Sequence, residues 1–483
     1  MTLPRRQLTV ALVWLAAVAA LGIAVASNGD RERAFLLAAL AAAAGAAAYI
    51  AVRTDPAWLL SGGIALSIFS GNTGQLGLPI GPDRLLLAGG LLAVVLRSEV
   101  HPEHNGHGSL RLPRLTFTHG LLVAASAWAV ASAWHAGTLT QGAGFYGLLD
   151  RFGIMAFAVY YVAPVVFRGE RARTLLLGTL VAVGAYLGLT ALFEGVGLRA
   201  LVFPSYINDP AVGIHFGRAR GPFVEAVANG LGLFVGATAA ATGLAVWRDR
   251  RAISLCRAVI VLCVVGLLFT LTRSIWLSSI VAAVVAMLFA QSLRRWLVPA
   301  AIGGALLVAG TLTVVPGLHA RVVERSKEDR SVWVRENTNR AALQMIADRP
   351  IDGFGWQRFQ SDSIPYFTQP ANYPMNGIGQ GVHNVFLSHA SELGLPGAAL
   401  WLCAFVLAMG AAIVRRAPPA LQPWRIALVA LIVQWVVVAS LTPLPWTFPT
   451  LVLWTWAGVA SIRSPQPARR AAVSEATSSS RAR

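Results

Sequence analysis

The sequence predicts an all-α polytopic membrane protein, a bundle of about 12–14 transmembrane helices with one large, partly helical loop facing outward. Three observations support this fold class. Hydrophobic residues make up 56% of the 483 residues and charged residues only 12%, whereas soluble domains carry about 25% charged residues. The mean hydropathy is +0.62. Apolar windows follow one another along the chain, and one long polar stretch interrupts them.

A membrane-spanning helix needs about 20 mainly apolar residues. By that measure the candidate spans are residues 8–27, 34–52, 57–70, 84–96, 116–135, 145–167, 173–194, 226–247, 253–271, 274–291, 296–315, 396–414, 425–442 and 447–462. The third and fourth windows are short, and the number falls to about twelve if they form a hairpin that does not fully cross. The first window ends like a signal peptide, but its length favours a transmembrane helix.

The arginines predict the orientation, because short arginine-rich loops stay in the cytoplasm. Residues 168–173, 248–251, 294–295 and 415–416 form four such loops, and all fall on one side of the predicted bundle. Both termini then lie in the cytoplasm. A net charge of +18 suggests nucleic-acid binding in a soluble protein, but here most of this charge sets topology. We expect no nucleic-acid partner.

These patterns divide the chain into four parts. Residues 1–315 hold transmembrane helices 1–11, residues 316–383 form an extracytoplasmic loop, and residues 384–463 hold the last transmembrane helices. The tail 464–483 is rich in Ser, Ala, Pro and Arg, so we expect a disordered cytoplasmic tail. Residues 316–383 are called the polar segment below.

The polar segment is predicted to contain one amphipathic helix, which ends before Pro350. The residues that recur near helical spacing are Val332, Asn339, Ala342, Leu343 and Ile346, and we expect this face to lie on the membrane or on the bundle. The rest of the segment is rich in Pro and Gly and is predicted to be loop. A loop of this length is typical of a functional lid or binding loop.

His383 is the first candidate for chemistry. Gly394, Pro396 and Gly397 are predicted to break the helix that follows, which leaves residues 383–393 as a short helix and His383 at the outer membrane surface. A neutral imidazole there can act as a general base on a hydroxyl. The alternative is that His383 and Asn384 only cap the helix.

Arginines on the same outer side are the second candidates. Arg273 lies at a tight corner between two apolar runs, and Arg218 and Arg220 precede another span. Planar guanidinium groups suit the oxygens of a phosphate, but snorkelling or ordinary loop charges give the same pattern. No Walker loop, zinc-ligand spacing or dinucleotide fingerprint is present in a fitting context, so we expect neither a cofactor nor a bound metal.

Several of these elements resemble the O-antigen ligase and O-antigen polymerase superfamily of bacterial membrane glycosyltransferases. The strongest match is similar to the family's HN..L....E.G..G signature, and it consists of His383, Asn384, Leu387, Glu392, Gly394 and Gly397. Its P..G.G...F element is matched by Pro350, Gly353, Gly355 and Phe359. Arg335 resembles the arginine that opens the preceding helix.

Two further elements resemble the family with departures. Thr270 to Arg273 is similar to a T.SR corner, with Thr272 in place of the serine. Arg218 to Gly221, with Phe223 and Asn229, resembles an R..G.F..N segment in which the Asn lies further on. Both Arg218 and Arg220 therefore remain candidates for the functional arginine.

The resemblance implies a glycosyltransferase that uses a polyprenyl-diphosphate-linked glycan as donor at the outer face of the bacterial plasma membrane. It implies His383 as the catalytic residue and Arg218 or Arg220, with Arg273, as diphosphate ligands. Arg335, Asn384 and Glu392 take supporting roles, and no metal is needed. The acceptor hydroxyl belongs to a second lipid-linked repeat, a lipid core or a protein, so polymerase and ligase both stay open.

A transporter or flippase is the alternative function. Carriers usually bury several acidic residues in their spans, whereas few acidic residues, such as Asp150 and Glu194, fall in the predicted ones. A non-catalytic scaffold leaves the outward arginines and His383 unexplained. The residues therefore favour an enzyme over both alternatives.

Overall fold

The computed structural model describes residues 53–78, 81–99, 112–327, 329–415 and 418–463. Within these ranges the regular structure is helical. In chain order the longer helices are α1 (Pro56–Leu66), α2 (Pro82–Glu99), α3 (Phe117–His135), α4 (Gly142–Val166), α5 (Glu170–Val196), α6 (Ala226–Val246), α7 (Arg250–Phe269), α8 (Arg273–Phe289), α9 (Leu297–Val314), α10 (Leu318–Ser326), α11 (Arg330–Asp348), α12 (Val385–Val414), α13 (Gln422–Ala439) and α14 (Thr447–Ala460).

Eight helices in the described part of the chain are long and apolar enough to cross a membrane: α3, α4, α5, α6, α7, α9, α12 and the helical stretch Pro419–Ala439 that contains α13. Two shorter apolar helices are Pro56–Phe69 and Arg273–Phe289. The predicted fold class is confirmed, and every predicted span inside the described ranges coincides with a helix. The predicted spans 8–27 and 34–52 and the tail 464–483 lie outside the described residues.

Helix starts follow from local capping. The side chain of Asp249 accepts a hydrogen bond from Ala252 N at 2.9 Å where α7 begins, and Glu225 does the same for Ala228 N at 2.7 Å at the start of α6. These carboxylates satisfy amides that the first helical turn leaves without a partner. Such caps fix where each apolar run enters the bundle.

Small residues allow the helices α5, α6 and α7 to pack tightly against one another. A Cβ added to Gly184 of α5 would lie 2.6 Å from the Cα of Gly236 in α6. Cys263 of α7 donates its thiol to the carbonyl of Gly184 at 3.4 Å. Helices within a bilayer gain no hydrophobic driving force from association, so close van der Waals contact of this kind stabilises the bundle.

The helix α12 is bent at Gly394, where the backbone has φ 71° and ψ 171°. The predicted break is therefore present, but regular helix begins at Val385 and not at His383. The reason is Asn384, whose Oδ1 accepts hydrogen bonds from Phe386 N at 3.0 Å and Leu387 N at 3.1 Å. His383 lies just outside this cap.

The amphipathic helix predicted in the polar segment is α11, which packs against α12. Of its predicted apolar face, Ala342 is buried, whereas Val332 is 39% exposed and Leu343 55% exposed. The complete buried face consists of Val334, Asn337, Thr338, Ala341, Ala342 and Met345. Small side chains let this face approach α12 and the following loop.

Candidate active site

Helix α11 connects two of the sequence-predicted site residues. Arg273, the first residue of α8, donates from Nη2 to the Oγ of Ser331 at 3.4 Å. Ser331 and Arg335 are four residues apart on α11, so they lie on the same face of the helix. The Nε of Arg335 donates to the carbonyl of Leu441 at 2.8 Å, between α13 and α14. The guanidinium groups of Arg273 and Arg335 thus share one end of the bundle.

His383 lies beside Arg335. Its imidazole is partly buried, and its Nδ1 is shielded from solvent without a hydrogen-bond partner among the described residues. Burial, together with the positive charge of Arg335, lowers the pKa of His383 to about 4, although a hydrogen bond with the Gly381 backbone acts in the opposite direction. The side chain is therefore neutral at pH 7.

The Arg218–Gly221 turn docks on the corner that carries Arg273. The amide of Ala219 donates to the carbonyl of Phe269, the last residue of α7, at 2.9 Å. The carboxylate of Glu194 accepts from the amides of Arg220 at 3.2 Å and Gly221 at 2.9 Å. This turn and the Arg273 corner, far apart in the sequence, are thereby joined at the same end of the bundle.

The guanidinium of Arg220 is buried among backbone carbonyls. Arg220 is 1% exposed, and its guanidinium donates to the carbonyl of Ile207 from Nε at 3.1 Å and Nη2 at 2.8 Å, to Val212 O at 2.6 Å, and to Asp209 O. These bonds tie residues 207–212 into a compact loop. Burial lowers the pKa of Arg220 from its usual value, with Glu194 acting in the opposite direction. Arg218, by contrast, is only partly buried.

Glu392 is buried away from the surface, in an ion pair with Arg151 of α4 at 3.2 Å. Arg151 also donates to Ser388 Oγ and lies 5.0 Å from the centroid of the Trp356 ring. The carbonyl of Glu392 accepts from Gly355 N at 2.9 Å. Glu392 therefore holds the Gly353–Phe359 turn and α4 against α12.

The sequence did not point to Ser331 or His389, and it did not identify the partner of Arg151. Ser331 is recognisable only once Arg335 is placed, since the two are one helical turn apart. Arg151 meets Glu392 across 241 positions of chain, which no local pattern predicts. His389 is fully buried, and its ring centroid lies 4.7 Å from that of Trp401.

The geometry provides positive charge next to an uncharged imidazole. Arginines that share one end of a bundle can bind an anionic group and stabilise charge that builds on it. A neutral imidazole can accept a hydrogen bond from a hydroxyl. Among the described residues, no three His, Cys, Asp or Glu side chains are placed to hold a metal ion.

The fold is that of a polytopic helical membrane protein, and the candidate site of arginine and histidine side chains lies at one end of its bundle. Residues 258–402 match the family model described as O-antigen ligase. The match of these residues confirms the superfamily that the motifs resemble. The family is one of membrane glycan ligases and polymerases, of glycosyltransferase type. No curated protein and no solved structure matches the chain.

The match contains the Arg273 corner, Arg335, the Pro350–Phe359 element and His383. Arg218 lies before its first residue. The docking of Ala219 on Phe269 is thus the observation that connects the Arg218 turn to the matched domain.

Proposed function

We propose that this protein transfers a polyprenyl-diphosphate-linked glycan to an acceptor hydroxyl at the outer face of the bacterial plasma membrane. The observation that carries the proposal is the placement of Arg273, Arg335 and His383 around helix α11. The family match supports the reaction class, and the arginine-rich short loops support an extracytoplasmic site with cytoplasmic termini.

In this proposal Arg273 and Arg218 bind the donor diphosphate. Arg273 lies in the first turn of α8, where the helix dipole also favours negative charge. As the bond from the anomeric carbon to the diphosphate oxygen breaks, negative charge grows on the leaving group, and the guanidinium groups stabilise it. The arginines supply this charge without a metal ion. Arg220 takes no part in binding, because its donors are directed to backbone carbonyls.

His383 is the proposed partner of the acceptor hydroxyl. Its neutral imidazole accepts the hydroxyl proton as the oxygen attacks the anomeric carbon, in an inverting displacement. A histidine with a pKa of about 4 is a weak base in the free protein. The negative diphosphate counteracts the field of Arg335 and raises the pKa of His383 toward its ordinary value when donor is bound.

The test is glycan transfer by the purified full chain in lipid nanodiscs, with a lipid-diphosphate-linked glycan as donor. We expect His383→Ala to lower kcat by at least about 100-fold, since a general base contributes about 10²–10⁴. His319→Ala, at an exposed histidine on α10, is the matched control and should retain activity. Wild-type transfer by the His383→Ala protein would contradict the proposal.

Glycan chain length in a deletion strain separates the two forms of this reaction. Short unpolymerised repeats indicate a polymerase, whereas long chains left on the lipid carrier indicate a ligase. If the deletion strain loses flipping of the lipid carrier, the result would support the transporter alternative.

A further inference from the structure

A second polar and aromatic surface lies on α11, on the side away from its buried face. The rings of Trp333 and Tyr373 are stacked, with centroids 6.4 Å apart and planes 8° from parallel. Both side chains are partly exposed, and Glu336 and Arg340 beside them are exposed. These four residues are called the aromatic shelf.

The shelf is held in place by its own hydrogen bonds. The Tyr373 hydroxyl donates to Glu336 Oε2 at 2.8 Å and accepts from Arg340 Nη2 at 3.4 Å. The side chain of Asn337 donates to Asn376 Oδ1 at 3.1 Å and Pro374 O at 3.3 Å. The Pro- and Gly-rich loop is thus anchored to α11, and the rings are pre-organised before any ligand binds.

The loop cannot easily take another position on the helix. Gly377 has φ +88°, and a Cβ there would lie 3.1 Å from Val334 Cγ1. Gln369 also closes the loop on itself, donating from Nε2 to Tyr373 O at 3.1 Å. A surface held this firmly keeps its two rings in one geometry.

The chemistry of the shelf fits a saccharide. Sugar rings present C–H groups that pack on the negatively polarised face of an aromatic ring, and their neighbouring hydroxyls pair with carboxylate and guanidinium groups. The shelf offers all three partners over about 10 Å of helix, the length of a short oligosaccharide.

The position of the shelf relates it to the candidate active site. Glu336 follows Arg335 directly, so the two side chains point about 100° apart on the same helix. A glycan bound on the shelf therefore reaches His383 by passing around one exposed side of α11.

We propose that Trp333, Tyr373, Glu336 and Arg340 form an oligosaccharide-binding subsite that holds glycan away from the reacting end. This inference rests on the proposed function for its choice of ligand. The subsite guides a glycan toward His383 and takes no part in the chemistry.

The binding test uses the full chain in nanodiscs and the free oligosaccharide released by mild acid from the native lipid-linked donor. We expect Trp333→Ala to raise the Kd by about tenfold or more, because the lost ring contact is worth about 1.4 kcal/mol. Trp333→Phe, which keeps an aromatic face, should recover most of the affinity. Trp296→Ala, at a residue 54% exposed in the α8–α9 connection, is the control.

A second variant tests the subsite in case Trp333→Ala has a folding defect. If that protein has a lowered thermal unfolding midpoint, Glu336→Gln at an exposed position supplies the measurement, with an expected rise in Kd of at least about threefold. Wild-type Kd values in both folded variants, or no binding of the oligosaccharide to the wild-type protein, would overturn the subsite.

Transfer assays separate this inference from the proposed function and identify which glycan binds. A higher KM for donor or for acceptor, with kcat unchanged, shows which of the two the shelf holds. Transfer that requires His383 but has the same KM values in the shelf variants would reject the subsite alone. A wild-type protein without transfer activity would reject the proposed function, whereas the binding measurement would still report on the shelf.

Discussion

The Nε of Arg335 donates to the carbonyl of Leu441 at 2.8 Å, and this bond fixes the polar segment to the connection between α13 and α14. It also fixes the position of the positive charge that lowers the pKa of His383. The same arginine therefore has a positioning and an electrostatic effect, and the two can be separated by substitution.

Replacing Arg335 should change the pH dependence of transfer. With a pKa of about 4, His383 protonates only as the pH falls below that value, so the acidic limb of kcat/KM should lie well below the 6.5 of free imidazole. Arg335→Gln removes a positive charge and should move this limb to higher pH. Arg335→Lys retains the charge and should leave it near its original position. An acidic limb that is the same in the Gln variant would contradict the role of Arg335.

Arg218 and Arg220 should respond differently to substitution. Arg220→Ala removes the hydrogen bonds to the carbonyls of Ile207, Asp209 and Val212 and leaves that of Ile207 buried without its partner, so we expect it to cost about 3 kcal/mol of stability. Arg218→Ala should retain the unfolding midpoint but lower kcat/KM through weaker donor binding. Thermal unfolding in detergent and transfer kinetics measure the two effects. A stable, inactive Arg220→Ala protein would instead give Arg220 a direct role in binding.

Gly394 should not tolerate a side chain. Its φ of 71° is unfavourable for other residues, and a Cβ would overlap the carbonyl oxygen of Ile351. Gly394→Ala should therefore lower the unfolding midpoint strongly and displace the Gly353–Phe359 turn. The control is Gly410→Ala in the same helix, where no atom lies within 4 Å of the added Cβ. Equal midpoints for the two variants would argue against a required kink.

The buried pair Arg151–Glu392 should show strong coupling. Glu392→Gln leaves the Arg151 charge without its partner, which costs about 3–5 kcal/mol in buried pairs. The double variant Arg151→Met, Glu392→Leu should cost less than the sum of the single variants Arg151→Met and Glu392→Leu. Denaturant unfolding of the wild type, the two single variants and the double variant gives the coupling energy. Additive losses would mean that the pair contributes nothing beyond its separate contacts.

The sequence alone determined the membrane class, the positions of the described spans and the family. These features are local: hydropathy over about 20 residues reports burial in lipid, and the His383–Gly397 run carries its motif in consecutive positions. The breaker residues around Gly394 also predicted the bend in α12, since backbone conformation depends mainly on the residue itself.

The tertiary structure decided which of these residues work together. Arg218 and Arg220 are equivalent by spacing, and only the carbonyls of residues 207–212 distinguish them by enclosing Arg220. The buried face of α11 depends on close packing against α12, and the apolar periodicity identified only part of it. Arg273, Ser331, Arg335 and His383 come together through contacts between distant parts of the chain. A linear pattern cannot encode these contacts, because they depend on how the helices pack.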